Sequence, residues 1–238
     1  MVIMKKTIIT SLVFFTLTGL LIGCYDQTGA EDGDSRNAAR QVEVKAWPDG
    51  KIPYAVEATL PERDLDYLKL AMEEWAQYCN IEFIDYTGRE DRPESTLIIN
   101  YTDGQAETTV GYAKNPRLAI PTESKLYQRH YVHLLGHILG LLKEHQRPDR
   151  DLYITVHWEN IAPEAMSQYE KLDSTLITEE DFMYDTASVM HYTRTQGNKA
   201  FGLRSFDYVS GEEYTRAFYV STGDAEKVAF IYGAPVAQ

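Results

Sequence analysis

Basic residues are scarce in this chain. Against 36 Asp and Glu, its 238 residues hold 23 Lys and Arg, for a formal net charge of −13 at pH 7. A nucleic-acid-binding surface needs clustered cations to neutralise phosphates. Outside Lys143 to Arg150 no such cluster occurs, which removes nucleic acid from the expected partners. Cysteine is nearly absent, with only Cys24 and Cys79, so no disulfide framework can exist. The longest apolar run, Thr7 to Ile22, falls short of the roughly 20 residues that span a bilayer. Internal repeats and a second linker are also missing, which leaves one domain of roughly 190 to 200 residues. A hydrophobic share of 44% and 17 Tyr fit a folded, partly β-rich domain.

The N-terminus reads as an address. Lys5 and Lys6 precede the apolar run, which closes on Leu21-Ile22-Gly23-Cys24. This resembles a bacterial lipobox, which implies that residues 1–23 are a lipoprotein signal peptide and that Cys24 carries lipid. A plain secretory signal or a transmembrane helix are the other readings. Lipidation implies a bacterial cell-envelope protein, periplasmic or surface-exposed, held to the membrane through Cys24. Removing residues 1–23 takes away two lysines and no acid, so the rest is not drawn to anionic lipid by its own charge. Residues 24–46, polar and acidic at first, are expected to be a flexible tether. Cys79 is then unpaired and reads as a small buried hydrophobe.

The folded domain is expected over 47–238. Trp47 to Gly50 form a turn before a strand over Ile52 to Glu57. Pro61 to Tyr78 reads as a helix, with Glu62, Asp64 and Asp66 near its N-terminus and a stripe of Leu65, Leu68, Met72, Trp75 and Ala76. Strands follow at Ile81–Tyr86, Leu97–Tyr101, Thr108–Ala113 and Leu118–Ile120. A second helix covers Ser124 to Leu139. Glu164–Leu172 is expected as a short helix, and Thr222–Tyr232 as a terminal helix closing on Gly233.

The most informative stretch is His133 to Asp151, HLLGHILGLLKEHQRPDRD. On a helix, His133 and His137 project from one face and could share a metal. Gly140, free to adopt positive φ, would then turn the chain sharply. Downstream stands Ser188-Val189-Met190-His191-Tyr192. Together these segments resemble the metzincin signature and Met-turn, in the astacin branch of zinc peptidases. Trp47 to Tyr54 is similar to the opening strand of that family. The resemblance implies an α+β fold: a twisted mixed sheet with two long helices in an N-terminal subdomain, and an irregular C-terminal subdomain with a terminal helix.

For the site, the resemblance implies zinc on His133 and His137, Met190 as an apolar floor, and Tyr192 able to reach the metal or the substrate oxyanion. Two positions depart from the pattern. Leu134 stands where the family has its general-base glutamate, and Lys143 stands where it has the third zinc histidine. A leucine cannot move the proton, and an ammonium has no lone pair to donate. The expectation is therefore no zinc or weakly held zinc, with the Lys143 ammonium near His133, His137 and Tyr192. Glu144 and His145 are the candidates for substitute ligands. Glu144, Arg147, Asp149, Arg150 and Asp151 also match a family segment of structural ion pairs. The leading expectation is a pseudopeptidase with a peptide- or protein-binding cleft. The others are an active zinc-dependent endopeptidase with an unconventional metal site, and a structural surface lipoprotein with a vestigial cleft.

Overall fold

A computed structural model describes residues 40–57, 59–104, 106–122, 126–174, 182–213 and 217–235. The expected signal peptide, Cys24, most of the tether and the expected helix start at Ser124 lie outside the described residues. In order along the chain come β1 (Arg40–Val42), β2 (Lys51–Val56), α1 (Glu62–Ala76), β3 (Glu82–Asp85), β4 (Leu97–Thr102), β5 (Glu107–Thr108), β6 (Arg117–Pro121) and α2 (Gln128–Ile138). After α2 the chain runs through short 3-10 turns, with β7 (Ile154–Val156), β8 (Leu172–Ser174) and β9 (Phe206–Tyr208), and ends on α3 (Thr222–Tyr232).

The main sheet is mixed, in the order β3-β2-β4-β6-β5, with every pairing parallel except β5 against β6. Its inward residues, Ile52, Leu97, Ile99, Leu118 and Ile120, share one core with Leu68, Met72 and Trp75 of α1 and with Val132, Leu135 and Ile138 of α2. Two indoles fasten this core to α2. Trp75 Nε1 donates to Val132 O at 2.8 Å, and Trp47 Nε1 donates to Ile138 O at 2.7 Å. These bonds give buried tryptophan N–H groups the acceptors they need and fix the helix that carries both histidines. A second, smaller core of Ile154, Ile161, Tyr169, Phe206 and Tyr208 supports the C-terminal half.

The α+β expectation holds, with several differences in detail. Folded chain begins upstream of Trp47: β1 pairs in parallel with β8, and Val44 packs on Leu172. The expected strand over Thr108–Ala113 stops at Thr108. Beyond it the backbone turns away, with Gly111 N donating to His137 O at 2.9 Å and Tyr112 N to Lys45 O at 2.7 Å. On α1, Ala76 is exposed and Ala71 completes the buried stripe. The expected helix at Glu164–Leu172 is a 3-10 turn over Pro163–Tyr169, with Leu172 already in β8. Side chains compete for its carbonyls: Gln146 Nε2 bonds Glu170 O at 3.1 Å, His145 Nε2 bonds Gln168 O at 2.8 Å, and Arg150 bonds Tyr169 O. Cys79 is buried and free, and burial pushes its thiol up to about 12, which makes it inert.

Candidate functional site

α2 delivers His133 and His137 one turn apart, their rings edge to face at 4.7 Å. The chain can leave α2 abruptly because Gly140 takes φ 99°, a left-handed value that costs glycine little. Each imidazole is locked by a backbone carbonyl: His133 Nδ1 to Val189 O at 2.9 Å, and His137 Nδ1 to Leu141 O at 2.8 Å. A carbonyl only accepts, so both rings carry hydrogen on Nδ1, which in the neutral ring leaves the lone pair on Nε2. Nε2 of His137 is buried without a partner among the described residues. Burial lowers the His133 pKa to about 4, with the Lys143 charge adding to the shift. His137 is pushed down further by burial, by His133 and by Lys143. Both rings are neutral at pH 7.

The Met-turn lies directly beneath. A Cβ added to Gly136 would come within 2.5 Å of Met190 Sδ, so glycine at this position is what lets α2 rest on the methionine. Asp224, in the first turn of α3, holds the turn from the far side. It accepts from Ser188 Oγ at 2.6 Å and from Val189 N at 2.8 Å. The same carboxylate accepts from Ser221 N at 3.2 Å, closing a capping box on α3. One residue thus caps α3 and sets the carbonyl that orients His133.

Leu134 is 7% exposed and packs into the main core. Lys143, also 7% exposed, donates from Nζ to Gln168 Oε1, and its ammonium sits 4.9 Å from the centroid of the Tyr192 ring. Tyr192 OH points to the same Gln168 oxygen at 3.5 Å. The structure therefore brings Lys143 and Tyr192 together with Gln168, a residue that the sequence did not single out. No local signal could have found it, because the contact spans 25 residues.

Among the described residues, neither candidate for a substitute ligand joins His133 and His137 in a group of three that could hold a metal ion. Glu144 is consumed by Lys227 Nζ at 2.6 Å, Arg147 at 3.1 Å and Asp185 N at 2.8 Å. His145 donates from Nε2 to Gln168 O and stacks on Tyr192 at 4.0 Å, with Nδ1 buried and unpartnered among the described residues. Arg147 also pairs with Asp149 at 2.8 Å, and Arg150 with Asp151 at 3.1 Å, so the whole segment is structural.

A catalytic zinc is usually held by three protein donors plus water. Here two imidazole lone pairs are present, and the third position is an ammonium bound to a carboxamide. Among the described residues no group of three or more His, Cys, Asp or Glu side chains is placed to hold a metal ion. The donor set does not fit a catalytic zinc.

A twisted mixed sheet, a two-histidine helix ended by a left-handed glycine and a methionine turn beneath it define an astacin-like metzincin scaffold. The chain belongs to the astacin family of peptidases, whose model matches residues 39–233. It is 29% identical over 206 residues to nematocyst expressed protein 6 of Nematostella vectensis, covering 85% of this chain and 70% of that one. Over 162 residues it is 33% identical to zinc metalloproteinase nas-8 of Steinernema carpocapsae, covering 68% of this chain and 38% of that one. The fold matches high choriolytic enzyme 1, a hatching enzyme zinc-protease from Oryzias latipes, with a TM-score of 0.68 at 22% identity, over 87% of this chain and 100% of that one.

Proposed function

We propose that this chain is a membrane-anchored astacin-family domain that binds peptide or protein in its cleft without hydrolysing it. The observation that carries this reading is the Lys143 ammonium at the third-ligand position, buried and engaged by Gln168, alongside a leucine at the general-base position. The first departure removes a metal donor and adds a repelling charge. The second removes proton-transfer help that contributes typically 10² to 10⁴ in rate. An extended peptide could add to the outer edge of β5, which ends the order of the main sheet.

Elemental analysis of the full chain purified without chelator, paired with cleavage of an unfolded protein, tests the reading. The expected result is far less than one zinc per chain and no hydrolysis above background. Zinc near one equivalent, with cleavage abolished by chelation, would establish the working peptidase instead. His133 and His137, held in a tautomer that leaves Nε2 free, are what favour that second outcome.

The anchor is proposed at Cys24, in the bacterial cell envelope. This rests on the lipobox-like Leu21-Ile22-Gly23-Cys24, and attachment would be through lipid at that cysteine. Cys24→Ser is expected to move the protein from the membrane pellet to the soluble fraction after cell lysis. Unchanged pelleting would count against lipidation.

A further inference from the structure

Two buried lysines in this domain are treated differently. Lys227, 4% exposed, lies 2.6 Å from the Glu144 carboxylate. Lys143, at 7%, has no carboxylate within 4.0 Å among the described residues; its partners are the Gln168 carboxamide oxygen and the Tyr192 ring. A buried charge is tolerated when it is paired and hydrogen-bonded. One carbonyl dipole and one aromatic face leave most of that need unmet, since an ammonium has three donors. The neighbouring histidines do not help. Burial keeps His133 and His137 neutral, and with Nδ1–H committed to backbone carbonyls they present Nε2 lone pairs, so Lys143 supplies the positive charge here.

Gln168 occupies this place in a telling way. Its backbone carbonyl is held by His145 Nε2 at 2.8 Å, while its side-chain oxygen receives both Lys143 Nζ and, at 3.5 Å, Tyr192 OH. Lys143 is buried and Gln168 is only partly so. Rotation of the Gln168 side chain, with its backbone still anchored, is the movement that would uncover the ammonium and the phenol. A side-chain amide oxygen is chemically a peptide carbonyl, so the chain is already occupying its own acceptor site.

We propose that Lys143 and Tyr192 form a binding site for the C-terminal carboxylate of a peptide, with the Gln168 carboxamide as a resident stand-in that the ligand displaces. This deepens the preceding reading and rests on its claim that peptide is bound and not cut. A neutral amide would exchange one carbonyl for another and gain little. A carboxylate adds charge neutralisation and a second acceptor oxygen, one for each donor, and charge-assisted bonds are about twice as strong as neutral ones. A polyanion is disfavoured by the overall charge of −13, which points to a single carboxylate group.

The test uses the full chain and a degenerate pool of N-terminally fluorescent hexapeptides, supplied with either a free carboxylate or a C-terminal amide and followed by fluorescence polarisation. The free-acid pool is expected to bind at least ~10-fold more tightly than the amide pool. Lys143→Met is expected to erase that preference. Tyr192→Phe, which keeps the ring under the ammonium, should reduce it. Gln168→Ala should tighten acid binding several-fold by removing the internal competitor, an effect opposite to that of a merely structural glutamine. Thermal melts establish that each variant is folded; if Lys143→Met is not, the acid and amide comparison and the Gln168→Ala variant decide alone. Equal binding of the two pools, binding of neither, or weaker acid binding by folded Gln168→Ala would overturn the proposal. Mass spectrometry of the recovered peptides separates the two claims: shortened peptides sink the non-hydrolytic reading, whereas intact peptides bound without regard to their terminus sink only the carboxylate site.

Discussion

The double substitution Lys143→His with Leu134→Glu is expected to yield a protein that keeps zinc through dialysis and hydrolyses unfolded protein at least ~10²-fold above the parent, in a chelator-sensitive way. The reason is how much of the site is already built. His133 and His137 hold Nε2 lone pairs free, each fixed through Nδ1 by a backbone carbonyl, which is the outer-shell support a metal-binding imidazole needs. Met190 is in place beneath them, and Tyr192 is within reach of position 143. A third imidazole completes the donor number, and a carboxylate beside His133 restores a proton acceptor. The single variants should separate these contributions. Lys143→His alone is expected to bind zinc without cutting. Leu134→Glu alone is expected to do neither, because without a third metal donor there is no metal-bound water for the new carboxylate to deprotonate. Zinc should also stabilise the double variant, by about 4 kcal/mol at 1,000 times Kd, which calorimetry with and without metal can read. A double variant that takes up no zinc would mean that the backbone after Gly140 no longer brings residue 143 to the histidines.

What can be read from the chain follows the range of the forces involved. α3 lies where expected, from Thr222 to Tyr232, because its limits are set locally, by the Ser221 capping box and by Gly233 at φ 82°. The turn at Gly140 and the pairing of His133 with His137 are equally local. The strand expected beyond Thr108 does not form, although Thr109, Val110 and Tyr112 are good strand formers. The hydrogen bonds of Gly111 and Tyr112 go instead to α2 and to Lys45, partners distant in sequence. β1 has no local signature for a related reason: Arg40, Gln41 and Val42 form a strand only because β8 offers an edge some 130 residues later, as the register of Arg40 with Leu172 records. At the site, the missing donors are visible as two residue identities. Gln168, which decides what the Lys143 ammonium binds, is not. Its role arises from tertiary placement of an irregular turn, for which hydrophobic periodicity gives no signal.

Glu144→Ala is expected to lower stability by roughly 3 to 5 kcal/mol, because it strips the counter-charge from a buried cation. In the folded chain Glu144 is 3% exposed and receives Lys227 Nζ at 2.6 Å, Arg147 at 3.1 Å and the Asp185 N–H at 2.8 Å. Arg147 retains Asp149 and the Phe182 carbonyl when the glutamate is lost, so the penalty falls mainly on Lys227 and on the backbone donor at Asp185. For a domain of this size about 2 to 4 °C accompanies each kcal/mol, so the melting temperature should fall by roughly 6 to 20 °C. The double variant Glu144→Leu with Lys227→Met should recover most of that loss, since removing both charges avoids leaving one unpaired. Additive losses in a thermal-melt cycle would show that the two side chains act independently. Stability here also bears on the site. Lys227 and Asp224 sit on the same face of α3, and while Asp224 holds Ser188 and Val189, the backbone N–H of Glu144 donates to Met190 O at 3.2 Å. Loosening the Glu144 to Lys227 contact therefore frees the methionine turn on one side, and with it the Val189 carbonyl that keeps His133 in a single tautomer. Nδ1 to Nε2 proton exchange at His133, followed by nitrogen NMR at temperatures below the melt, should become detectable in Glu144→Ala and stay silent in the parent.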